Sequence, residues 1–232
     1  MRTLLLAIIM VLVALCLIPL LALGFLFRWR APLFFLGKGA INSARFVLGI
    51  KVDVRGREGI DRKKACIYMA NHLSFIDGPL LFWLIPQPVR VLLKKEAFRY
   101  PVMGLGMRLA GFVPVDRSGL KTGKISIDRA TKSIRTKGHS FLIFPEGTRS
   151  HDGHIQPFRR GAFFLAVNSQ APVVPVSISG SYELMPKGSM SVQKGRIKVI
   201  FHPEVSVQGL DKDDIPDLMN KVRNTIISGL SC

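Results

Sequence analysis

From residue 51 onward, short apolar runs alternate with longer stretches of helical spacing. The runs at 65–69, 89–93, 112–115, 141–144, 173–178 and 197–201 are four to six residues long. They are rich in β-branched and aromatic side chains, which predicts buried strands. The segments 77–85, 121–137, 162–167 and 215–230 predict helices, with Pro86 closing the first. This order predicts an α/β domain: a mixed, mostly buried β-sheet flanked by helices. Ahead of it, residues 32–50 carry Lys38, Asn42 and Arg45 at spacings of four and three, making one polar stripe. Leu33, Phe34, Leu36, Ile41, Val47 and Leu48 supply apolar surface, so the segment predicts an amphipathic helix lying in a membrane interface. An ordinary core-facing helix is the alternative.

The N-terminus reads differently. Residues 3–27 contain no charged side chain, and a bilayer core needs only about 20 apolar residues. Pro19 is placed to kink this run, and Arg28-Trp29-Arg30 follows as a basic pair around an interfacial aromatic. The run is longer than the apolar core of a signal peptide. The chain thus divides into a membrane-anchoring helical segment with its interfacial helix, residues 1–50, and an α/β domain, residues 51–232.

Composition sharpens this division. The net charge is +18, yet 48% of residues are hydrophobic, and the mean hydropathy is +0.30. A chain both basic and apolar suits an anionic membrane surface better than nucleic acid, and no nucleic-acid partner is expected. The flanking arginines place the domain on the cytoplasmic face, as at a bacterial inner membrane. Cys16, Cys66 and Cys232 are odd in number and far apart, so no disulfide framework is implied. No HExxH or CxxC spacing occurs, and no metal is expected.

The candidate chemistry begins at ANHLSFIDGP, residues 70–79. On a helix, His72 and Asp77 would stand roughly 140° apart around the axis. On a strand they would face opposite sides, about 16 Å apart. The two side chains meet only if the backbone turns between them. Asn71 and Ser74 are turn formers, and Asp77-Gly78-Pro79 reads as a helix start with Asp77 as N-cap. Three other strand ends are polar: Asp116-Arg117, the run from Pro145 to Ser150, and Ser179-Gly180. Ligands of α/β domains gather at strand ends, and guanidinium forks match phosphate oxygens. Taken singly, each arginine reads better as a solvated surface charge.

Together, NHLSFID, GFVPVDR, FPEGTRS and VPVSISG resemble the four motif blocks of the glycerolipid acyltransferase superfamily, and most of all its lysophosphatidate acyltransferases. The resemblance implies transfer of an acyl group from acyl-CoA or acyl-carrier protein to the sn-2 hydroxyl of lysophosphatidate, with no further cofactor. It implies His72 and Asp77 as the catalytic pair. It places Arg117, Glu146, Gly147, Thr148, Arg149 and Pro175 in substrate binding. Arg159-Arg160-Gly161 resembles the basic-basic-glycine segment that follows. Pro114 departs from the pattern, standing where a β-branched or aromatic residue is common. The chemistry is consistent: a neutral imidazole takes the proton of the attacking hydroxyl, and a carboxylate supports the imidazolium. The alternatives are an acyltransferase or transacylase for another lysolipid, a non-enzymatic basic surface protein, and a metal-dependent hydrolase.

Overall fold

A computed structural model describes residues 31–116 and 119–230. Among them, seven strands form one sheet in the order β1-β7-β6-β2-β5-β3-β4. They are β1 (Ile50–Arg55), β2 (Ile67–Ala70), β3 (Val89–Lys94), β4 (Val113–Val115), β5 (Ser140–Ile143), β6 (Val173–Ser179) and β7 (Gly195–Phe201). All neighbours are parallel except β6 and β7. The helices are α1 (Ala31–Val47), α2 (Asp77–Leu84), α3 (Pro101–Leu109), α4 (Leu120–Lys137), α5 (Arg160–Ser169), α6 (Ser181–Leu184) and α7 (Ile215–Ser228).

The central strand shows why these short runs form a sheet. Every residue of β2 is buried, as expected for a parallel strand covered on both faces. Ile67 and Met69 join the core built with α4, α5 and α7. Tyr68 and Ala70 join the opposite core, with α2, β1 and β7. The period of two along β2 thus feeds both cores at once. Replacing a fully buried side chain such as Leu81 or Leu142 by alanine typically costs about 2–5 kcal/mol.

Three elements were not foreseen: β1, α3 and the one-turn helix α6. The run IKVDVR forms edge strand β1, whose alternation includes three charges. Arg196 Nη1 on β7 donates to Asp53 Oδ2 at 2.6 Å across the pair. Charges on an edge discourage further strand addition. Helix α3 contains Gly104 and Gly106, which lower helical propensity, but Pro101 starts it. Pro114 does not prevent a strand. It lies in the short edge strand β4, opposite Leu93, where a missing N–H costs least.

Helix α1 corrects the expected orientation. Lys38 and Arg45 of its polar stripe turn inward, while Asn42 stays exposed. Lys38 Nζ donates to the Ile85 carbonyl at the end of α2, and Arg45 donates to Asn42 Oδ1 at 2.8 Å while lying over the Trp83 ring. Burial, with Arg57 and Arg62 nearby, lowers the Lys38 pKa to about 8. Phe35 and Phe46 point outward instead, 80% and 81% exposed. They lie eleven residues apart, which returns to the same helix face. The carbonyls of α2 and β1 and the Trp83 face are better partners for the cations than Phe35 and Phe46 would be. The apolar segment 3–27 lies outside the described residues. Among those described, no helix is long and apolar enough to cross a membrane.

At the end of β6, Gly180 adopts φ +84°, and a Cβ there would lie 2.4 Å from the Arg196 carbonyl oxygen. Left-handed backbone costs a non-glycine residue about 1–2 kcal/mol before any clash. Gly180→Ala is expected to destabilise the fold by at least about 2 kcal/mol. A lowered urea midpoint at unchanged slope would show it, and an unchanged midpoint would contradict the placement of α6.

Candidate active site

The ends of β2, β5 and β6 build the site. At the end of β2, the buried Asn71 side chain pairs with Ile178 of β6. Its Nδ2 donates to the Ile178 carbonyl at 2.8 Å, and the Ile178 N–H donates to Oδ1 at 2.8 Å. An amide offers one donor and one acceptor side by side, so it continues the ladder after the strand has ended. The chain then turns. The His72 N–H donates to Glu146 Oε1 at 2.6 Å, and the His72 carbonyl accepts the Ser150 N–H at 2.8 Å. Both sides of the His72 backbone are therefore tied to the turn that follows β5.

The turn closes on Asp77. A single carboxylate oxygen, Oδ2, accepts from the Leu73 N–H at 2.7 Å and the Ser74 N–H at 2.7 Å, and lies 3.0 Å from His72 Nδ1. The expectation that Asp77 caps α2 is corrected. Asp77 is the first residue of the helix, the cap position falls on Ile76, and no side chain caps it. The Asp77 carboxylate turns back toward the preceding loop because two orphan N–H groups and an imidazole await it there. His72 and Asp77 thus meet, as a turn between them requires.

This geometry orients the imidazole. Oδ2 already accepts two backbone N–H groups, so it acts as acceptor toward His72 as well, which assigns the ring proton to Nδ1. Nε2 keeps its lone pair, and among the described residues no hydrogen bond engages it. Phe144 stacks on the ring at 3.9 Å between centroids and 17° between planes. The His72 side chain remains 20% exposed, whereas that of Asp77 is fully buried.

Glu146 is a second buried carboxylate, 2% exposed. Its Oε2 accepts the Gln156 N–H at 2.9 Å. Burial pushes its pKa up to about 7, although the Gln156 and His72 N–H groups act to lower it. Gly147 has φ +73°, and a Cβ there would meet Arg159 Cδ at 3.0 Å. That positive φ lets the chain turn sharply enough for Thr148 and Arg149 to follow. The Arg149 guanidinium carbon lies 5.9 Å from the centroid of the Phe75 ring, which is itself 56% exposed.

The structure therefore brings His72, Asp77, Glu146, Gly147, Thr148 and Arg149 to one edge of the sheet. Pro175 is placed elsewhere: it is buried in mid-β6 opposite Met69, and its carbonyl accepts the His202 N–H at 3.0 Å. Arg117 lies outside the described residues; its neighbour Asp116 pairs with Lys95 at 2.6 Å. Sequence reasoning missed Phe144 and Gln156. Phe144 opens the FPEGTRS block and Gln156 lies six residues beyond it, but nothing in their spacing marks a contact with His72 or Glu146. Two cavities, of about 310 and 530 Å³, open near the starts of β3 and β5 and the end of β7. His72 lines neither. Among the described residues, no group of three or more His, Cys, Asp or Glu could hold a metal ion.

The family model described as Acyltransferase matches residues 51–179. The chain belongs to the acyltransferase family. It is 33% identical over 185 residues to a 1-acyl-sn-glycerol-3-phosphate acyltransferase of Limnanthes douglasii, a match covering 80% of this chain and 65% of that protein. It is 30% identical over 184 residues to the human 1-acyl-sn-glycerol-3-phosphate acyltransferase alpha, covering 79% and 65%. The chain thus spans just under two thirds of the length of these curated relatives. Its fold is similar to the crystal structure of the 1-acyl-sn-glycerophosphate (LPA) acyltransferase, PlsC, from Thermotoga maritima. That similarity has a TM-score of 0.73 at 27% identity, and covers 87% of this acyltransferase and 78% of the other chain.

The Glu146 carboxyl yields a pH prediction. Its folded pKa, about 7, lies above the ordinary value of 4.5. The folded state therefore holds the proton more tightly, and this contribution to stability is present below pH 4.5 and lost as pH rises through 7. The shift corresponds to about 3 kcal/mol. Glu146→Gln removes this titration and turns one amide N–H toward a backbone N–H. The stability gap between the parent and Glu146→Gln should be larger at pH 5 than at pH 8 in urea unfolding. A gap independent of pH would contradict the assignment.

Proposed function

We propose that this acyltransferase moves a fatty acyl group from acyl-CoA or acyl-carrier protein to the sn-2 hydroxyl of lysophosphatidate, giving phosphatidate. The observation that carries the reading is the His72–Asp77 pair, with Nε2 unengaged and Arg149 on the adjoining turn. The names of the matched relatives and of the structural neighbour support the same substrate class.

The steps follow from the geometry. Asp77 holds the imidazole with its proton on Nδ1, and Phe144 fixes the ring plane. Nε2 accepts the proton of the sn-2 hydroxyl as its oxygen attacks the thioester carbonyl. The substrate is the nucleophile, so no serine or cysteine is acylated. Positive charge on the ring is stabilised by the buried Asp77 carboxylate. When the tetrahedral intermediate collapses, the C–S bond breaks and His72 returns the proton to the departing thiolate. Arg149, together with Arg117, receives the acceptor's phosphate, whose three oxygens and nearly two negative charges suit guanidinium forks. Glu146 acts through the backbone, fixing the His72 turn relative to the Arg149 turn.

The substrates are amphiphiles, and the same reading puts the enzyme on a membrane. Residues 1–50 attach it: the apolar run 3–27 inserts, and the outward face of α1 lies in the interface with the catalytic domain on the cytoplasmic side. Phe35 and Phe46 carry that contact, helped by the +18 net charge.

Two measurements test these readings. His72→Ala should lower kcat by about 10²–10⁴-fold while leaving the thermal midpoint close to the parent's, because general-base catalysis contributes that much. Near-normal turnover of lysophosphatidate by His72→Ala would overturn the mechanism. For attachment, a chain beginning at residue 31 should bind vesicles rich in anionic lipid at low salt. Phe35→Ser with Phe46→Ser should weaken that binding at least about tenfold, since each buried aromatic contributes roughly 1.5–3 kcal/mol. Equal binding of the two forms would remove α1 from the interface.

A further inference from the structure

The segment after β6 lies beyond all four motif blocks, yet it touches both turns of the site. Gly180 leads into the one-turn helix α6, and the chain continues through Met185 and Lys187. The Ser74 hydroxyl, inside the NHLSFID turn, donates to the Met185 carbonyl at 2.7 Å. The Tyr182 hydroxyl donates to the His151 carbonyl at 2.8 Å. Gly153, with φ +81°, passes so close that a Cβ there would lie 3.0 Å from Tyr182 Cδ1. One short strap thus joins the turn carrying His72 to the turn carrying Arg149.

Lys187 is the centre of the strap. Its ammonium approaches three groups on the second turn: Thr148 Oγ1 at 3.1 Å, the Arg149 carbonyl at 3.2 Å and His151 Nε2 at 2.6 Å. An ammonium offers three donors and no acceptor, so these three contacts use its full capacity. The His151 contact puts that ring's lone pair on Nε2. The Arg149 backbone is therefore pinned from one side by Lys187, while the next residue is pinned from the other by the Ser150 N–H donating to the His72 carbonyl at 2.8 Å.

We infer that Lys187 is a positioning residue for acceptor specificity: it holds the Thr148–His151 turn at the distance from His72 that lets Arg149 take the phosphate while the acceptor hydroxyl meets Nε2. This inference rests on the reading that Arg149 receives the acceptor's phosphate. Lys187 does not need to touch the phosphate itself. Its three donors are engaged, and it acts by fixing where the Arg149 guanidinium starts. A misplacement of about 1 Å far from the reacting atoms is enough to cost up to about a hundredfold in such a site.

The test compares Lys187→Met, Lys187→Arg and Arg149→Ala, with lysophosphatidate and an acyl-CoA varied in turn. Lys187→Met is expected to raise the KM for lysophosphatidate about tenfold or more, with the donor KM and the thermal midpoint close to the parent's. Backbone amides of residues 148–151 should exchange hydrogen faster, and those of α5 should not. Lys187→Arg restores the charge but cannot converge one nitrogen on all three acceptors, so it should stay impaired. Full rescue by Lys187→Arg would mean that charge alone matters, which overturns positioning. Arg149→Ala separates the two levels. If it raises the acceptor KM and Lys187→Met does not, this inference fails and the phosphate reading stands. If Arg149→Ala leaves the acceptor KM unchanged, the phosphate reading fails and this inference falls with it. A Lys187→Met enzyme with a lowered midpoint and unchanged KM would show Lys187 to be merely structural.

Discussion

Glu146 joins two turns that are 74 residues apart in the chain, because its buried carboxylate accepts the His72 N–H with one oxygen and the Gln156 N–H with the other. That bridge sets where the His72 turn stands relative to the turn that follows β5. Backbone N–H groups buried without partners would each cost about 1–3 kcal/mol, so the carboxylate satisfies the turns while fixing their spacing. The same burial raises its pKa to about 7. The site thus keeps a group whose charge is costly because its two oxygens fit two donors that no single hydroxyl could serve. Asp77 repeats the solution on a smaller scale, with three donors converging on Oδ2 while Oδ1 stays buried without a partner among the described residues. That orphan oxygen is a cost, and a rigidly aimed imidazole is what accompanies it. A loop held by side-chain carboxylates cannot relax one contact without disturbing the others, so the ring is oriented before any substrate arrives.

Legibility followed the range of the interactions. The strands at β2, β3, β5 and β6 were readable because burial on both faces leaves an apolar run with little ambiguity, and β7 because Ile197, Val199 and Phe201 alternate into one core. Strand β1 was not, because an edge strand carries charge at alternate positions and lies directly after a helix. The meeting of His72 with Asp77 was legible because Asn71, Ser74 and Pro79 favour a turn between them and the motif resemblance named the pair. The cap at Asp77 was misread because a sequence shows that an aspartate stands at a helix start, but not which N–H groups it faces. The orientation of α1 was reversed for a related reason. Hydropathy places Lys38 and Arg45 toward water, whereas the Ile85 carbonyl and the Trp83 ring provide partners that only the folded chain brings near. Lys187 lies 39 residues from Thr148, and no periodicity connects them.

The sheet's direction links attachment to chemistry. Strand β1 is parallel to β7, β7 is antiparallel to β6, and β6 is parallel to β2. Strand β1 therefore begins at the edge where β2 ends. Helix α1 closes at Val47, so its C-terminal end arrives beside the edge that carries His72. Phe46 belongs to that end of the helix, and Phe75 lies within the His72 turn itself. In the proposed reaction both substrates keep their tails in lipid, and only the hydroxyl, the phosphate and the thioester need to reach the protein. An apolar surface on the same edge as the base meets that requirement without the molecule enclosing the tails. A site at the opposite edge would have to lift each substrate out of the bilayer, losing about 0.8 kcal/mol for every CH₂ exposed to water. The inward turn of Lys38 and Arg45 serves the same end, since it clears charge from the one face of α1 that a bilayer would cover.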